Sequence, residues 1–216
     1  MTNTLYIGNK NYSSWSLRGW LPLKKAGVSF EESIIPLRQD DSQVRIRAVS
    51  EGWQVPVLKT DQGTIYDSLA ISEWAAEQAP DLWPEDAQQR AAARSATALM
   101  HAGFRDLRMA CPMNMKCIVS SPQEDKAALA DAARINALWS RWLEVSGGPF
   151  LFGKWSIADA FYAPVVSRFV SWRLPVDDSG TRYIETMQAD ADYADWKSAG
   201  LAEKLIMVDI DKMMIG

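Results

Sequence analysis

The sequence predicts an α/β domain followed by an all-α domain. Three observations carry that expectation. Over residues 4–78, short extended segments alternate with helical ones in the order β-α-β, then α, then β-β-α. The stretch Ala79-Pro80-Asp81-Leu82-Trp83-Pro84, with two prolines, then breaks the pattern as a linker would. Beyond it, residues 86–110 and 124–146 are rich in Ala, Arg, Leu and Glu at helical spacing, with no strand signal. The expected boundaries are 1–79 for the first domain, 80–85 for the linker and 86–216 for the second.

Each element has a local reason. Thr4-Leu5-Tyr6-Ile7 reads as a short strand, with Tyr6 expected to face the core. Asn9 to Ser14 is polar and turn-prone, and Trp15 to Ala26 then places Leu17, Trp20, Leu21 and Leu23 at helical spacing. Pro22 falls inside that helix, and Gly27 ends it as a glycine past the C-cap does. Val28 to Pro36 reads as a second strand and residues 41–49 as a weak helix. Val57 to Thr60 and Thr64 to Tyr66 flank Asp61-Gln62-Gly63, a hairpin signal, and Ser68 to Gln78 is helical. A parallel β-α-β unit followed by an antiparallel hairpin and a helix is the layout of a thioredoxin-like domain. In the second half, residues 156–172 and roughly 181–205 supply further helices. Ser156-Ile157-Ala158-Asp159 is a capping-box variant that starts one of them and serves stability.

Composition removes several function classes. Of 216 residues, 48% are apolar and 23% charged, as in globular proteins able to bury a core. A net charge of −4 speaks against nucleic-acid binding, which needs a concentrated basic surface. No run of about 18 uncharged apolar residues is present, so no membrane span is expected. Met1-Thr2-Asn3-Thr4 carries no basic or apolar leader region, and a cytoplasmic location is the simplest expectation. Cys111 and Cys117 are the only cysteines and read as reduced structural thiols. His101 is the only histidine, so a two-histidine metal site within one chain is impossible and no metal is expected. No Gly-x-Ser-x-Gly elbow accompanies it as a hydrolase would require. Ten tryptophans are spread along the chain, and Trp15 and Trp53 flank the segments most suited to a site.

Those segments are Gln54-Val55-Pro56-Val57-Leu58 and Asp67-Ser68-Leu69-Ala70-Ile71. The proline biases Val55 toward extended backbone, and a cis bond there would turn the Val55 amide and carbonyl outward to pair with an extended peptide. Asp67-Ser68 at a helix N-terminus offers a hydroxyl, free amides and the positive dipole end, which suit a carboxylate. A backbone-pairing segment beside a carboxylate-binding one makes a site for a small peptide such as glutathione.

Four stretches together resemble the cytosolic glutathione transferases across nearly the whole chain. Gln54-Val55-Pro56-Val57-Leu58 is similar to the family's Val-Pro segment, whose proline is cis. Asp67-Ser68 resembles its pair that grips the γ-glutamyl end of glutathione. Gly153-Lys154-Trp155-Ser156-Ile157-Ala158-Asp159, with Pro164 beyond, is similar to the signature of its helical domain. Tyr12-Ser13-Ser14-Trp15-Ser16-Leu17-Arg18 resembles the zeta-class Ser-Ser-Cys-x-x-Arg motif.

The resemblance implies glutathione as co-substrate, a homodimer, and attack of the glutathione thiolate on an electrophilic small molecule. By the zeta-like register Ser13 would stabilise the thiolate, with Ser14 the alternative; read from the residues alone, both suit capping the first helix. Val55 would pair with the cysteinyl part, Gln54 with the glycyl carboxylate, and Asp67 and Ser68 with the γ-glutamyl group. The electrophile would lie between the domains beside Trp15 and the helix carrying His101, Arg105 and Arg108. Those three share a face at i, i+4 and i+7, where two arginines suit a carboxylate but equally a solvated face or an intersubunit ion pair. Trp15 stands where the zeta class has its cysteine, which speaks against the maleylacetoacetate-type isomerase that is the first alternative. The second is a non-catalytic glutathione-binding or stress protein.

Overall fold

The structure, a computed structural model, describes residues 3–215. The reading of a leaderless start rests on Met1 and Thr2, which fall outside the described residues. Four strands form one mixed sheet in the order β2-β1-β3-β4: β1 (Asn3–Ile7), β2 (Phe30–Ile34), β3 (Val57–Thr60) and β4 (Gly63–Tyr66). β1 runs parallel to β2 and antiparallel to β3, and β3 pairs antiparallel with β4. With its helices this is the thioredoxin-like arrangement. Leu5 and Ile7 alternate into the core and are fully buried. Tyr6 therefore points to the other face: contrary to the expected core position it is only half-buried, with Lys59 Nζ 5.3 Å from its ring centre.

Helix α1 (Ser14–Lys25) crosses between β1 and β2 and packs against α3 (Ser68–Gln78). Pro22 has no N–H to give the Arg18 carbonyl; Ser72 Oγ of α3 lies 3.4 Å from that carbonyl, with the Ser68 carbonyl nearer to it at 2.7 Å. Gly27, at φ +65°, closes α1: its N–H reaches Lys24 C=O and the Val28 N–H reaches Leu23 C=O. The short α2 (Ser42–Arg47) lies between β2 and β3.

After a 3-10 turn at Pro80–Leu82, the rest of the chain is helical. The elements are α4 (Ala87–Ala102), α5 (Arg105–Ala110), α6 (Lys126–Ser146), α7 (Ile157–Ser171), α8 (Asp178–Ala189), α9 (Ala191–Ala202) and α10 (Val208–Ile215). Every α7 residue except Val170 is buried, and α1 and α4 both pack on it, so α7 joins the two halves. Its N-terminus is fixed by Asp159, which accepts from Leu151 N–H at 3.1 Å, Ser156 N–H at 2.9 Å, Ser156 Oγ at 3.0 Å and Tyr183 OH at 3.0 Å. Burial nonetheless pushes the Asp159 carboxyl up to about 6.

Two helical stretches divide where the sequence read as continuous. Residues 86–110 break at Gly103-Phe104, where Phe104 adopts φ 55° and a Cβ on Gly103 would lie 2.6 Å from the Leu99 carbonyl. The stretch around 181–205 breaks at Asp190, whose carboxylate caps α9 through Asp192 and Tyr193 N–H groups and also pairs with Lys25 at 2.6 Å.

Candidate functional site

The loop from Gly8 to Ser13 delivers the chain to the N-terminus of α1 and is held from both halves. Within the first, Asn9 Oδ1 accepts from Leu37 N–H at 2.7 Å and Lys10 pairs with Glu32 at 2.6 Å; the remaining ties come from the helical half. Glu203 accepts from the Lys10 and Asn11 N–H groups at 3.1 and 3.2 Å, and Trp196 Nε1 donates to the Lys10 carbonyl at 3.0 Å. Asn11 Oδ1 takes the Met115 and Lys116 N–H groups, while its Nδ2 donates to Asn114. Tyr12 OH donates to Asp211 at 2.9 Å; burial, with that carboxylate beside it, raises the phenol pKa. Burial likewise raises Glu203.

This clamp fixes two serines. Ser13 is the N-cap of α1, its Oγ 3.4 Å from the Ser16 N–H and 2.8 Å from Ser16 Oγ, which also accepts from Gly8 N–H at 3.0 Å. Ser14 opens the helix, and its hydroxyl makes no hydrogen bond among the described residues. Both line a cavity of about 540 Å³ between the halves, with Trp15 beside them. The opposite wall is Arg105 and Arg108 of α5 and Arg168 of α7, and Met207 and Ile210 at α10 close one side. A hollow of about 600 Å³ between α6 and α8 contains none of the expected site residues.

Val55-Pro56 is cis. Pro56 is packed so tightly on α1 that a Cβ at Gly19 would meet its Cγ at 2.9 Å, so a glycine there sets how closely the loop approaches the helix. Val55 makes no hydrogen bond among the described residues, leaving its peptide groups available. Gln54 is exposed, its N–H 3.4 Å from Ser50 Oγ. Trp53 is 58% exposed at φ 55°, with the Arg47 guanidinium 4.3 Å over its ring.

Asp67, at φ 74°, caps α3 by accepting the Leu69 N–H at 2.7 Å. Ser68 follows, 1% exposed, and its Oγ has no hydrogen-bond partner. A buried hydroxyl without a partner costs free energy and points to a missing one.

The expected face of His101, Arg105 and Arg108 does not exist as one helical stripe, because the break at Gly103-Phe104 puts His101 on α4 and the arginines on α5. Arg105 and Arg108 line the cavity. His101 lies behind Trp15, ring centres 5.3 Å apart, with Nε2 3.6 Å from Asp67 Oδ2. Sequence reasoning passed over Arg168 and assigned no role to Arg18. Arg168 left a signal: it is the one charge within the apolar run from Ala160 to Trp172. Arg18 is fully buried with all three guanidinium nitrogens unpartnered.

Known proteins are similar to this chain in sequence and fold. The family model for the N-terminal domain of glutathione S-transferases matches residues 12–78, which include the serines, Val55-Pro56 and Asp67-Ser68. The maleylacetoacetate isomerase of Rattus norvegicus is 33% identical over 172 residues, 76% of each chain. Among solved structures, a glutathione transferase homologue from Burkholderia with bound glutathione superposes at a TM-score of 0.73 with 25% identity, covering 94% of this chain and 100% of that one. A maleylacetoacetate isomerase from Anaeromyxobacter dehalogenans shares the fold at 0.67, with 23% identity over 96% of this chain and 95% of its own. Identity sustained over three quarters of the rat protein, on a shared two-part fold, places the chain in the glutathione S-transferase family.

Proposed function

We propose that the protein binds glutathione along Val55-Pro56 and Asp67-Ser68 and delivers its thiolate to an electrophilic small molecule in the cavity between the halves. The observation that carries this is the buried, unpartnered Ser68 hydroxyl at the N-terminus of α3. A carboxylate placed there satisfies that hydroxyl, meets the first free amides of the helix and lies at its positive end. The γ-glutamyl α-carboxylate takes this place and its ammonium faces Asp67. The cysteinyl backbone pairs with Val55, and Gln54 lies toward the glycyl carboxylate.

This pose carries the sulfur to the N-terminus of α1. A free thiol near pKa 8.5 is only a few per cent ionised at neutral pH. Ser16 Oγ accepts from both Gly8 N–H and Ser13 Oγ, and rotation of the Ser13 hydroxyl turns its one proton from Ser16 to the incoming sulfur. Ser14 adds a second hydroxyl and the helix dipole a third contribution. The thiolate attacks the electrophilic carbon; a sulfur–carbon bond forms, and its electron pair is balanced by loss of a leaving group or uptake of a proton.

A second reading, glutathione-dependent cis–trans isomerisation, is favoured by the names of the curated relatives. Trp15, in the place of the zeta-class cysteine, speaks against it, and so the transfer reading is preferred. A homodimer and a cytoplasmic location complete the proposal; among the described residues no helix is long and apolar enough to cross a membrane. Sedimentation tests the dimer.

The decisive experiment is calorimetric titration with glutathione, following thiolate absorbance in the ultraviolet as pH is varied. Binding with the thiol pKa well below its free value is expected. Binding without a shift would make the protein a carrier or sensor, and no binding at millimolar glutathione would sink the proposal. Product analysis with a maleyl substrate then separates a conjugate from an isomer.

A further inference from the structure

Three arginines near Trp15 are buried or half-buried without a carboxylate. Arg18 is 0% exposed and none of its guanidinium nitrogens has a hydrogen-bond partner. Arg168 is 3% exposed; its Nε donates to the Cys111 carbonyl at 2.8 Å while Nη1 is unpartnered. Arg108 is half-buried, and its Nη1 reaches only the His101 carbonyl at 3.4 Å. None of the three forms an ion pair among the described residues. Aromatic faces stand in for carboxylates: Arg18 lies 4.6 Å from the Trp15 ring centre and 5.4 Å from that of Phe161, and Arg108 lies 5.5 Å from Trp15. Ring quadrupoles return only part of the lost hydration of a guanidinium.

The three cations also oppose one another. Burial lowers the pKa of Arg18, and Arg168 and Arg108 lower it further; burial, with Arg108 nearby, lowers Arg168 to about 10. The carboxylates that face the group, Asp67 toward Arg18 and Asp131 toward Arg108, act at a distance and do not neutralise it. Such an arrangement destabilises the empty protein and is relieved by an anion. Two of the cations, Arg108 and Arg168, line the same cavity as Ser13 and Ser14.

We infer that Arg18, Arg108 and Arg168 form a preorganised positive field, assembled on Trp15, that holds the glutathione sulfur as thiolate. This rests on the reading that glutathione binds with its sulfur at Ser13 and Ser14. It assigns the indole at position 15 a role of its own, as the platform that keeps two guanidiniums beside the sulfur. A fixed charge in a water-poor site acts more strongly than in solution and needs no reorganisation as the thiol ionises. The proton lost from sulfur goes to solvent; no other bond changes in this step.

The test is the ultraviolet pH titration of glutathione bound to the full-length protein, wild type against Arg108→Gln, Arg168→Gln and Arg168→Lys. An opposite charge within several ångströms typically lowers a pKa by about 1–3 pH units, so each Gln variant should raise the bound thiol pKa by about 1 pH unit. Arg168→Lys should restore most of the shift. Affinity for S-methylglutathione, which has no ionisable thiol, should stay unchanged. Arg108 is on the half-exposed α5, so its variant tests the field even if a change at Arg168 impairs folding. A low thiol pKa in the wild type that persists in both Gln variants would overturn the inference and leave the transferase reading intact. Equal weakening of S-methylglutathione would also overturn it, because the arginines would then bind peptide and not sulfur. A wild type whose bound thiol titrates at the free value would remove the underlying reading itself.

Discussion

Ser68→Ala should change stability and affinity in opposite directions. In the free protein the Ser68 hydroxyl is buried and unpartnered. Burying a hydroxyl without a hydrogen bond costs about 1–3 kcal/mol, so removing it should leave the free protein as stable as wild type or more stable by about 1 kcal/mol. For a chain of this length that corresponds to a Tm rise of about 2–4 °C. Alanine also favours the helix slightly over serine. In the proposed complex the same hydroxyl would donate to a carboxylate, a hydrogen bond worth about 1.5–3 kcal/mol, so glutathione should bind roughly 10- to 150-fold more weakly. The assays are thermal melts without ligand and calorimetric titration with glutathione. If Ser68→Ala lowers the ligand-free Tm, or leaves affinity at the wild-type value, the hydroxyl is not held in reserve for a ligand and the assignment fails.

Ser13→Ala should lower kcat roughly tenfold for each pH unit by which the bound thiol pKa rises, with little change in KM for glutathione; a larger loss in Ser14→Ala would transfer the role to its neighbour. Asp159 gives a pH signature. Its folded pKa of about 6 lies above the ordinary aspartate value of 3.8, so its ionisation opposes folding: the penalty is absent below the unfolded value and complete above the folded one. The Tm advantage of wild type over Asp159→Asn should therefore shrink as pH rises from 4 to about 6 and stay level above it; a gap independent of pH would contradict the buried-carboxylate account. Burial pushes the Cys111 thiol up to about 11, so at pH 8 a disulfide reagent should label Cys117 promptly and Cys111 only after denaturant is added. Equal rates at the two thiols would refute this.

Features written in consecutive residues were the legible ones. Val55-Pro56, Asp67-Ser68 and Ser156 with Asp159 each announce a bend or a helix start, because the chemistry they need lies within a few positions. Features assembled from distant residues were not legible. Tyr6 sits in a strand as expected, yet only the pairing of β1 with its neighbours decides which face it takes. The break after Ala102 depends on one left-handed residue, Phe104, and separates His101 from the arginines that spacing had joined. Helix α10 has a weak local signal and owes its place to packing on Tyr12 and Leu37. Arg168 was readable as an oddity of its helix but not as a cavity wall, since that depends on α7 meeting α5 and the Ser13 loop.

The clamp on the Lys10–Tyr12 loop sets an order of assembly. Its hydrogen bonds reach Trp196, Glu203 and Asp211, partners 186 to 199 residues further along the chain. During synthesis the first-made strand and helix emerge long before these residues exist. The half-made protein can therefore carry the Val55 edge and Ser68 while the serine loop still lacks its supports. The loop that leads into the first helix is thus finished last, although it is made first, because residues 196–211 must fold back over it.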